Sequence, residues 1–363
     1  MRAVRIAFIG QVPPIRGGIA QHGGYLTEAL ARDHDVTVLS WRNHYPRFLY
    51  RRAQIDPLAN PHPTARFLLR WWDPASWWRA GRAAKRADVV VLVWATPFYA
   101  LTYGVVLAIK GKARAVALVH NALPHEPLPL QRTLTRGVLG RCDGLVAHAS
   151  TVAEDLDELL EGRVKVTTVP MPAHIPVHPT PLPEVGDELR LLFFGFIRPY
   201  KGLDVALDAL AELRDRGVRH RLTVVGEPWD ASESWRDRVA ERGLEDQVDL
   251  HLRYAADTEV SDLLAKHHAA LLPYRSATQS GIAPIALAAG RPVVATAVGG
   301  LRDVIREGQN GTLAEPNDPV SLANAIERCA ADLITLAAGA SRGVTTWDDV
   351  ASAVVRAARI DKR

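Results

Sequence analysis

The chain has 363 residues and a formal net charge of +4, with 48% hydrophobic and 23% charged residues. This length exceeds what one hydrophobic core usually holds and fits two domains with a cleft between them, and the composition excludes a disordered chain. The two cysteines, Cys142 and Cys329, lie far apart without CxxC spacing, which argues against a disulfide framework or a zinc site. We therefore expect a soluble, cytoplasmic protein in a reducing compartment.

Two apolar stretches test whether the chain enters or crosses a membrane. The first, at residues 4–9, is short and runs into a Pro-Pro pair, so it predicts a first strand and turn rather than a signal peptide. The second, residues 89–109, has no charged residue and is long enough to cross a bilayer. Pro97 and Gly104 interrupt it, and its β-branched start favours a buried strand followed by a buried helix. A transmembrane helix is the less favoured alternative.

Short apolar runs alternate with helix-period segments over most of the chain, which is typical of βαβ units around a parallel sheet. The break comes at residues 170–183, where six prolines in fourteen residues exclude a helix and favour an extended linker. We predict an α/β fold with an N-terminal domain at 1–172, a Pro-rich linker at 173–188 and a C-terminal domain at 189–345. We predict a last helical segment at 346–363, which in one alternative packs back onto the first domain. The predicted strands span residues 4–9, 36–39, 89–93, 115–120, 144–148 and 165–169, and then 189–194, 222–225, 248–252, 269–272 and 292–295.

Residues 42–86 depart from this alternation, because they carry ten Lys and Arg against two Asp, with four tryptophans among them. A basic surface with tryptophans suits an anionic membrane, where Trp lies at the headgroup level. A partly packed, solvated insertion or a groove for an acidic ligand would give the same pattern. Peripheral contact with an anionic membrane is therefore one of three alternatives, and we expect no nucleic-acid partner.

Two motifs near strand ends have the residues needed to hold a phosphate. Gly17 and Gly18 follow the first strand and precede a helix predicted at 19–30, so the backbone there can approach an anion, although a tight turn explains the pair equally well. In the second domain, Arg198 and Lys201 follow the first strand, at the carboxyl end where open α/β sheets bind ligands. Two fixed cations there can neutralise a departing diphosphate without a metal. The alternative is a pair of surface cations beside a turn.

A third candidate lies after the strand predicted at 269–272. Residues 273–282 lead into an Ala-rich helix that ends at Gly290, and the first turn of such a helix offers backbone amides to an anion. An ordinary helix with Ser280 as its N-cap explains the same residues, and both interpretations stay open.

Taken together, these motifs resemble glycosyltransferase family 4, and the likeness spans nearly the whole chain. The resemblance implies the GT-B fold, in which two Rossmann-like parallel-sheet domains face each other across a cleft. It also implies a nucleotide-sugar donor, a glycan, lipid-linked or small-molecule acceptor, and neither a cofactor nor a metal. The residues that carry it are Gly17-Gly18, the segment 119–126 (Val-His-Asn-Ala-Leu-Pro-His-Glu), Arg198 with Lys201, Gly226-Glu227, the segment 290–296 (Gly-Arg-Pro-Val-Val-Ala-Thr) and Gly299-Gly300.

The resemblance also implies roles for individual residues. His120 faces the donor sugar, with a histidine satisfied at a strand end as the alternative, and Arg198 with Lys201 stabilises the leaving diphosphate. His125 and Glu126 either brace their loop or meet the acceptor. The implied donor-binding residues are Gly17, Gly18, Glu227, Tyr254, Gln279, Ser280, Gly281 and Ile282, and the implied acceptor-side residues are His22, Asn121, His125 and Glu126.

One family feature is missing. Most members carry a Glu-x7-Glu pair on the donor side, whereas this chain has no Asp or Glu from 263 to 302. The aligned positions fall near 277–279 and 285–286, where Gln279 and the neighbouring Ser280 supply hydrogen bonds but no charge. The expected function is a retaining, metal-independent glycosyltransferase in which the leaving diphosphate takes the proton of the acceptor. The alternatives are a catalytically silent nucleotide-sugar or glycan-binding protein and a sugar-nucleotide epimerase on the same architecture.

Overall fold

Two parallel sheets, one in each of two units, organise the chain. The computed structural model describes residues 3–46, 54–56, 59–123, 130–230 and 234–358. The first unit is Met1–Val169 with Thr346–Arg363, and the second unit is Pro170–Thr345. The prediction of an α/β fold with two parallel sheets is confirmed.

The first unit has a seven-stranded sheet with helices on both faces. Its strands are β1 (Arg5–Ile9), β2 (Asp35–Asn43), β3 (Arg66–Arg70), β4 (Val89–Trp94), β5 (Arg114–Val119), β6 (Gly144–Ala147) and β7 (Val166–Thr168). They pair in parallel in the order β3-β2-β1-β4-β5-β6-β7. Its helices are α1 (Gly18–Asp33), α2 (Pro74–Ala84), α3 (Ala100–Ile109), α4 (Gln131–Leu139) and α5 (Ser150–Leu160).

The uncharged stretch at 89–109 forms a buried strand and a helix. All residues of β4 are buried, because a central parallel strand is covered by helices on both faces. A short 3-10 turn at Pro97–Tyr99 then leads into α3, whose buried side includes Tyr103 and Val106. No helix among the described residues is long and apolar enough to span a membrane. The strand-and-helix interpretation is therefore confirmed.

The second unit repeats this architecture with six strands. They are β8 (Leu189–Phe194), β9 (His220–Val225), β10 (Val248–His251), β11 (Ala269–Leu272), β12 (Val293–Thr296) and β13 (Gly311–Ala314). All pair in parallel in the order β10-β9-β8-β11-β12-β13. The helices are α6 (Leu203–Asp215), α7 (Trp235–Ala240), α8 (Asp257–Lys266), α9 (Ile282–Ala288), α10 (Leu301–Val304), α11 (Pro319–Ala331) and α12 (Leu333–Ala340).

The last helix, α13 (Trp347–Ala357), belongs to the first unit. Thr346 and Asp349 cap its N-terminus reciprocally, which fixes where the helix begins. Val350 and Val354 are fully buried in the core on one face of the first sheet. The carbonyl oxygen of Ala357 would lie 2.3 Å from a Cβ on Gly144, so the helix packs directly on the start of β6.

The Pro-rich segment packs on the second unit, which also includes residues 170–172. Arg291 holds it in place with a guanidinium that is fully buried. The guanidinium donates to the carbonyl oxygens of Thr180 at 2.9 Å and Pro181 at 2.8 Å, and its Nε donates to the carbonyl oxygen of Leu264 at 2.8 Å. Ile175 of the same segment is buried in the apolar core of the unit. Burial lowers the pKa of Arg291, and these carbonyl acceptors compensate the buried charge.

Two strands were not predicted from the sequence, and both lie at sheet edges. β3 starts and ends with arginine inside the basic segment, and β13 has only one long apolar side chain. An edge strand pairs on one side only, so its apolar pattern is weaker than that of a central strand. Residues 47–53 and 57–58 of the basic segment lie outside the described residues.

Replacing Arg291 tests whether it anchors the Pro-rich segment. In Arg291→Met the partly buried carbonyls of Thr180 and Pro181 lose this donor, and the buried carbonyl of Leu264 keeps the backbone N–H of His267. Each lost donor to a buried group costs about 1–3 kcal/mol. We expect the free energy of unfolding of the second unit to fall by roughly 3 kcal/mol or more, measured by thermal and denaturant unfolding. The control is Arg236→Met at an exposed position. Equal stability of the two variants would contradict the anchoring role.

Candidate active site

The carboxyl edge of the second sheet brings most of the predicted donor-side residues together. The strand order runs outward in opposite directions from β8 and β11, and open α/β sheets bind ligands at such a switch point. Arg198 and Lys201 lie in the loop after β8, and residues 279–282 follow β11. Both loops therefore start at the same point of the sheet.

Main-chain contacts hold the loops of this edge so closely that side chains are excluded at two positions. A Cβ on Gly202 would lie 2.1 Å from the carbonyl oxygen of Pro273, and Gly202 has a φ of 64°. A Cβ on Gly299 would lie 1.6 Å from the carbonyl oxygen of Ala277, at a φ of 44°. Only glycine fits both the space and the backbone conformation. The two glycines thus fix the loop after β11 against its neighbours.

Arg275 joins the loops after β8 and β11 with polar contacts. Its backbone N–H donates to the carbonyl oxygen of Tyr200 at 2.7 Å. Its guanidinium forms an ion pair with Asp204 in the first turn of α6 and also donates to the side chain of Asn317. These contacts limit the movement of the segment that carries Lys201.

Lys201 and Arg198 form a cationic pair at this edge. Lys201 is 8% exposed, and its ammonium lies 5.8 Å from the centroid of the Tyr274 ring. Burial, and then the charge of Arg198, lower the pKa of Lys201 to about 8. The guanidinium of Arg198 lies 3.9 Å from the centroid of the Trp229 ring, which orients it as a cation–π contact. An anionic ligand here would favour the charged form of Lys201.

The segment 279–282 begins as an ordinary capped helix. The hydroxyl of Ser280 accepts hydrogen bonds from the backbone N–H groups of Ile282 at 3.2 Å and Ala283 at 3.4 Å. Two amides of the first turn are therefore already used, which is the N-cap alternative raised by the sequence. A Cβ on Gly281 would lie 2.8 Å from the His174 ring, so the Pro-rich segment covers this position. Gln279 is half-buried in the same segment.

Exposed aromatic rings lie in the loops after β8, β9 and β10. Phe196 is 40% exposed and its ring centroid lies 6.0 Å from that of Tyr254, which is 60% exposed. The carbonyl oxygen of Glu227 accepts from the backbone N–H of Ile197 at 2.9 Å, so the loops after β8 and β9 are joined. The sequence singled out Glu227 and Tyr254 but not Phe196 or Trp229. Phe196 and Trp229 lie just beyond the ends of predicted strands, and that position was the signal that could have identified them.

The first unit gathers three buried histidines. His120 follows β5, His148 follows β6 and His22 lies on α1. The ring centroid of His120 lies 5.5 Å from that of His22 and 5.6 Å from that of His148. Burial, and then the charge of His148, lower the pKa of His120 to about 3, and burial lowers the pKa of His148 to about 4. Both imidazoles are therefore neutral at pH 7.

His148 was not predicted as a site residue, although the sequence contained the signal. β5 and β6 pair in parallel with Val119 opposite Ala147, so the residue that follows each strand lies at the same edge. Both of those residues are histidines. Adjacent strand ends that finish with the same titratable residue predict a cluster once the strand order is known.

The remaining predicted residues of the first unit lie near this cluster or outside the described residues. Gly17 and Gly18 are exposed at the start of α1, and no described atom would lie within 4 Å of a Cβ on either. The phosphate and tight-turn interpretations of this pair are both compatible with that open position. Asn121 is half-buried next to His120. His125 and Glu126 lie outside the described residues.

Two family models match the chain. The one described as Glycosyltransferase Family 4 matches residues 16–173, and the one described as Glycosyl transferases group 1 matches residues 188–332. The chain belongs to glycosyltransferase family 4. The resemblance inferred from the sequence motifs is thereby confirmed.

Curated relatives are about one-third identical to this family 4 chain over the aligned residues. A D-inositol 3-phosphate glycosyltransferase of Geodermatophilus obscurus is 32% identical over 68% of this chain and 59% of its own length. One of Stackebrandtia nassauensis is 33% identical over 61% of this chain and 55% of its own length. The chain thus spans little more than half the length of these relatives.

Solved structures confirm the GT-B fold. Sucrose-phosphate synthase from Thermosynechococcus elongatus has a TM-score of 0.70 at 18% identity, over 98% of each chain. Anabaena HepE in complex with UDP and glucose has a TM-score of 0.65 at 18% identity, over 98% of this chain and 97% of that one. At this identity the likeness concerns the fold alone.

The region where most family members have the glutamate pair is packed on an apolar core in this family 4 chain. Ile285, near the place of the second glutamate, is 1% exposed and packs in an apolar core of the second unit. Ala277, near the place of the first, lies partly buried against the same core, and its carbonyl oxygen faces Gly299. A carboxylate at 285 would be buried among apolar side chains and strongly disfavoured.

The lowered pKa of Lys201 predicts the pH dependence of turnover. Below about 8 the ammonium is charged, and above it the charge is lost, so kcat/KM for the donor should fall as the pH rises through that value. A bound diphosphate raises the pKa of Lys201, so the fall in kcat should come at higher pH. Both are measured as pH–rate profiles at saturating acceptor.

The matched variant for this profile is Lys201→Arg, because a guanidinium stays charged over the whole range. We expect kcat/KM of this variant not to fall at alkaline pH, even if its maximal rate is lower than that of the wild type. An alkaline fall that is unchanged in Lys201→Arg would show that another group titrates.

Proposed function

We propose that the chain is a retaining, metal-independent glycosyltransferase that takes its sugar from a nucleotide-diphosphate donor. The observation that carries the proposal is the pair of cations, Arg198 and Lys201, at the switch point of the second sheet. A buried lysine beside an arginine is a costly arrangement unless an anion binds there. The diphosphate of a nucleotide sugar supplies such an anion.

The transfer needs no protein base in this proposal. The bond between the anomeric carbon and the diphosphate oxygen breaks, and a bond to the acceptor oxygen forms on the same face of the sugar. The acceptor's proton passes to the leaving phosphate oxygen. Arg198 and Lys201 stabilise the negative charge that develops on that phosphate, which is preorganised electrostatic stabilisation. Neutral His120 suits a hydrogen bond to a sugar hydroxyl.

The comparisons support the donor class more than the acceptor. HepE was solved with UDP and with UDP-glucose, and a starch synthase of Arabidopsis thaliana was solved with ADP. The exposed rings of Phe196 and Tyr254 beside the cations suit a nucleobase, since aromatic faces stack on one another. We propose a glycan, lipid-linked or small-molecule acceptor. The names of the curated relatives, which refer to D-inositol 3-phosphate, support including a phosphorylated polyol among the candidates.

The missing glutamate pair favours a second candidate, a catalytically silent nucleotide-sugar binder. Such a protein would bind the donor without turnover. A thermal-shift screen with UDP, GDP, ADP and dTDP finds the nucleotide, since a ligand at a hundredfold over its dissociation constant raises stability by about 2.7 kcal/mol. Turnover assays with the matching sugar donors then separate the two candidates. A silent binder is stabilised by its nucleotide in the screen but transfers no sugar.

Removing either cation tests the diphosphate role. We expect Arg198→Ala and Lys201→Ala each to lower kcat by about a hundredfold, the scale for loss of a preorganised charge-stabilising group. Thermal stability should change little in Arg198→Ala, whose side chain is half-buried. The control is Arg236→Ala, an exposed cation on α7. Wild-type turnover in both active-site variants would refute the assignment.

Metal independence is tested by chelation. The two cations replace the metal that other transferases use to neutralise a diphosphate, so we expect full activity in excess EDTA. Initial rates with and without EDTA, after dialysis against chelator, decide the question. Loss of activity that Mn²⁺ or Mg²⁺ restores would contradict the proposal.

We also propose that the outer face of α2 meets an anionic membrane and brings the first unit to a lipid-linked acceptor. Trp72 and Trp78 are 50% and 48% exposed, and the Arg82 guanidinium lies 5.3 Å from the centroid of the Trp78 ring. Arg79 lies on the same exposed face, whereas Trp77 faces the core. Leu101 on the neighbouring helix α3 is 67% exposed. Cations beside half-exposed tryptophans suit the headgroup region of an anionic leaflet.

Vesicle co-sedimentation tests this contact. We expect binding to anionic but not neutral vesicles, and binding should weaken steeply with salt, since the screening length falls from about 10 Å at 0.1 M to about 3 Å at 1 M. The variant replaces Arg82, Lys85 and Arg86 with Gln. The control removes three exposed cations elsewhere by replacing Lys112, Arg236 and Lys266 with Gln. Equal recovery of the two triple variants, or no binding by the wild type, would favour a soluble acceptor.

A further inference from the structure

The three buried histidines of the first unit have properties that the proposed transfer does not use. The candidate ligand atoms of His22, His120 and His148 all lie within 4.8 Å of one another, and each residue comes from a different element. Their relative exposures are 7%, 6% and 2%. Three imidazole nitrogens this close together form a ligand set that one metal ion can share.

His148 is oriented as metal-binding histidines are. Its Nδ1 lies 3.0 Å from the carbonyl oxygen of Val169, and since a carbonyl only accepts, Nδ1 carries the proton. Nε2 therefore has a free lone pair, and it makes no hydrogen bond with any described residue. A main-chain carbonyl that fixes the tautomer in this way is the usual outer-shell partner of a metal-bound histidine.

The spacing of the rings fits one ion with three imidazole ligands. Nitrogen atoms at about 2.1 Å from a tetrahedral ion lie about 3.4 Å apart, so small rotations of the side chains close the set. Trp347 packs on the His22 ring at a centroid distance of 5.3 Å and Tyr25 packs on Trp347 at 5.7 Å, which makes one wall of the cluster from α13. The wall limits the access of water from that side.

We propose that His22, His120 and His148 form a binding site for a divalent transition-metal ion of the Zn²⁺ class. Imidazole ligands select such ions over Mg²⁺ and Ca²⁺, which prefer oxygen. Three histidines leave a fourth position for water or another ligand. The ion is distinct from any metal on the diphosphate, whose charge Arg198 and Lys201 neutralise in the second unit. Because His120 is the proposed sugar-facing residue, occupancy of this site should inhibit transfer, a consequence that rests on the proposed function.

Calorimetric titration of the full chain with Zn²⁺, after removal of metals with EDTA, tests the site directly. We expect one Zn²⁺ per chain and no binding of Mg²⁺. His148→Gln and, separately, His22→Gln should weaken Zn²⁺ binding by about 10- to 100-fold or more, since loss of even an outer-shell partner costs that much. Co²⁺ at the wild-type site should give the visible absorption bands of a tetrahedral complex, and the variants should lose them.

The chain offers a closely matched control in His220. It is 2% exposed, and its Nδ1 lies 2.9 Å from the carbonyl oxygen of Val218, which repeats the environment of His148 without neighbouring histidines. His220→Gln should leave Zn²⁺ binding unchanged. Equal Zn²⁺ affinity in wild type and both cluster variants, or an equal loss in His220→Gln, would overturn the proposal. If thermal unfolding shows that His148→Gln is not folded, the Zn²⁺ affinity of His22→Gln decides whether the proposal holds.

Transfer assays separate this site from the proposed function. Inhibition by Zn²⁺ that EDTA reverses supports both the site and the donor-facing role of His120. Zn²⁺ binding with unchanged transfer supports the site and contradicts that role of His120. If the chain transfers no sugar at all, the proposed function fails while calorimetry still decides the metal site.

Discussion

The close approach of the loops after β8 and β11 is the constraint on which the candidate donor site depends. Gly202 faces the carbonyl of Pro273 and Gly299 faces that of Ala277, at distances that no side chain allows. Because the first contact joins main chain to main chain, the loop that carries Lys201 cannot move away from the β11 loop without losing it. The second contact holds the β11 loop against the loop after β12. Preorganised charges stabilise a transition state because they need no rearrangement during the reaction. The glycines thus serve the chemistry by holding the cations still.

The cost of this arrangement is visible in Lys201. Its burial disfavours the ammonium, and Arg198 disfavours it further. Placing a second cation beside a buried one weakens the folded state, and the Tyr274 ring offsets only part of that loss. A site that is strained by like charges when empty gains more when an anion binds. The same electrostatic balance makes the free enzyme sensitive to pH near the lowered pKa and the complex less so.

The sequence predicted the central strands well, and it predicted that Arg198 and Lys201 follow the first strand of the second unit, because both have local signals. β8 and β11 match their predicted ranges, since long apolar runs at the middle of a sheet are unambiguous. The edge strand β3 and the histidine cluster were missed for a different reason. His148 gains its meaning only from the parallel pairing of β6 with β5, and Trp347 reaches His22 only because the last helix belongs to the first unit. Contacts between residues so distant in sequence leave no mark on local patterns.

The two units have similar sheets, but the carboxyl edges of these sheets differ in charge. At the edge of the second sheet, Arg198 and Lys201 create a positive site suited to a diphosphate. At the edge of the first sheet, burial keeps His120 and His148 neutral, so that edge can offer lone pairs and N–H groups but no charge. Neutral imidazoles do not attract a diphosphate, and they do not repel a metal ion or a hydroxyl group. The difference follows from the residue types at the carboxyl ends of the strands, because cations follow β8 whereas neutral histidines follow β5 and β6.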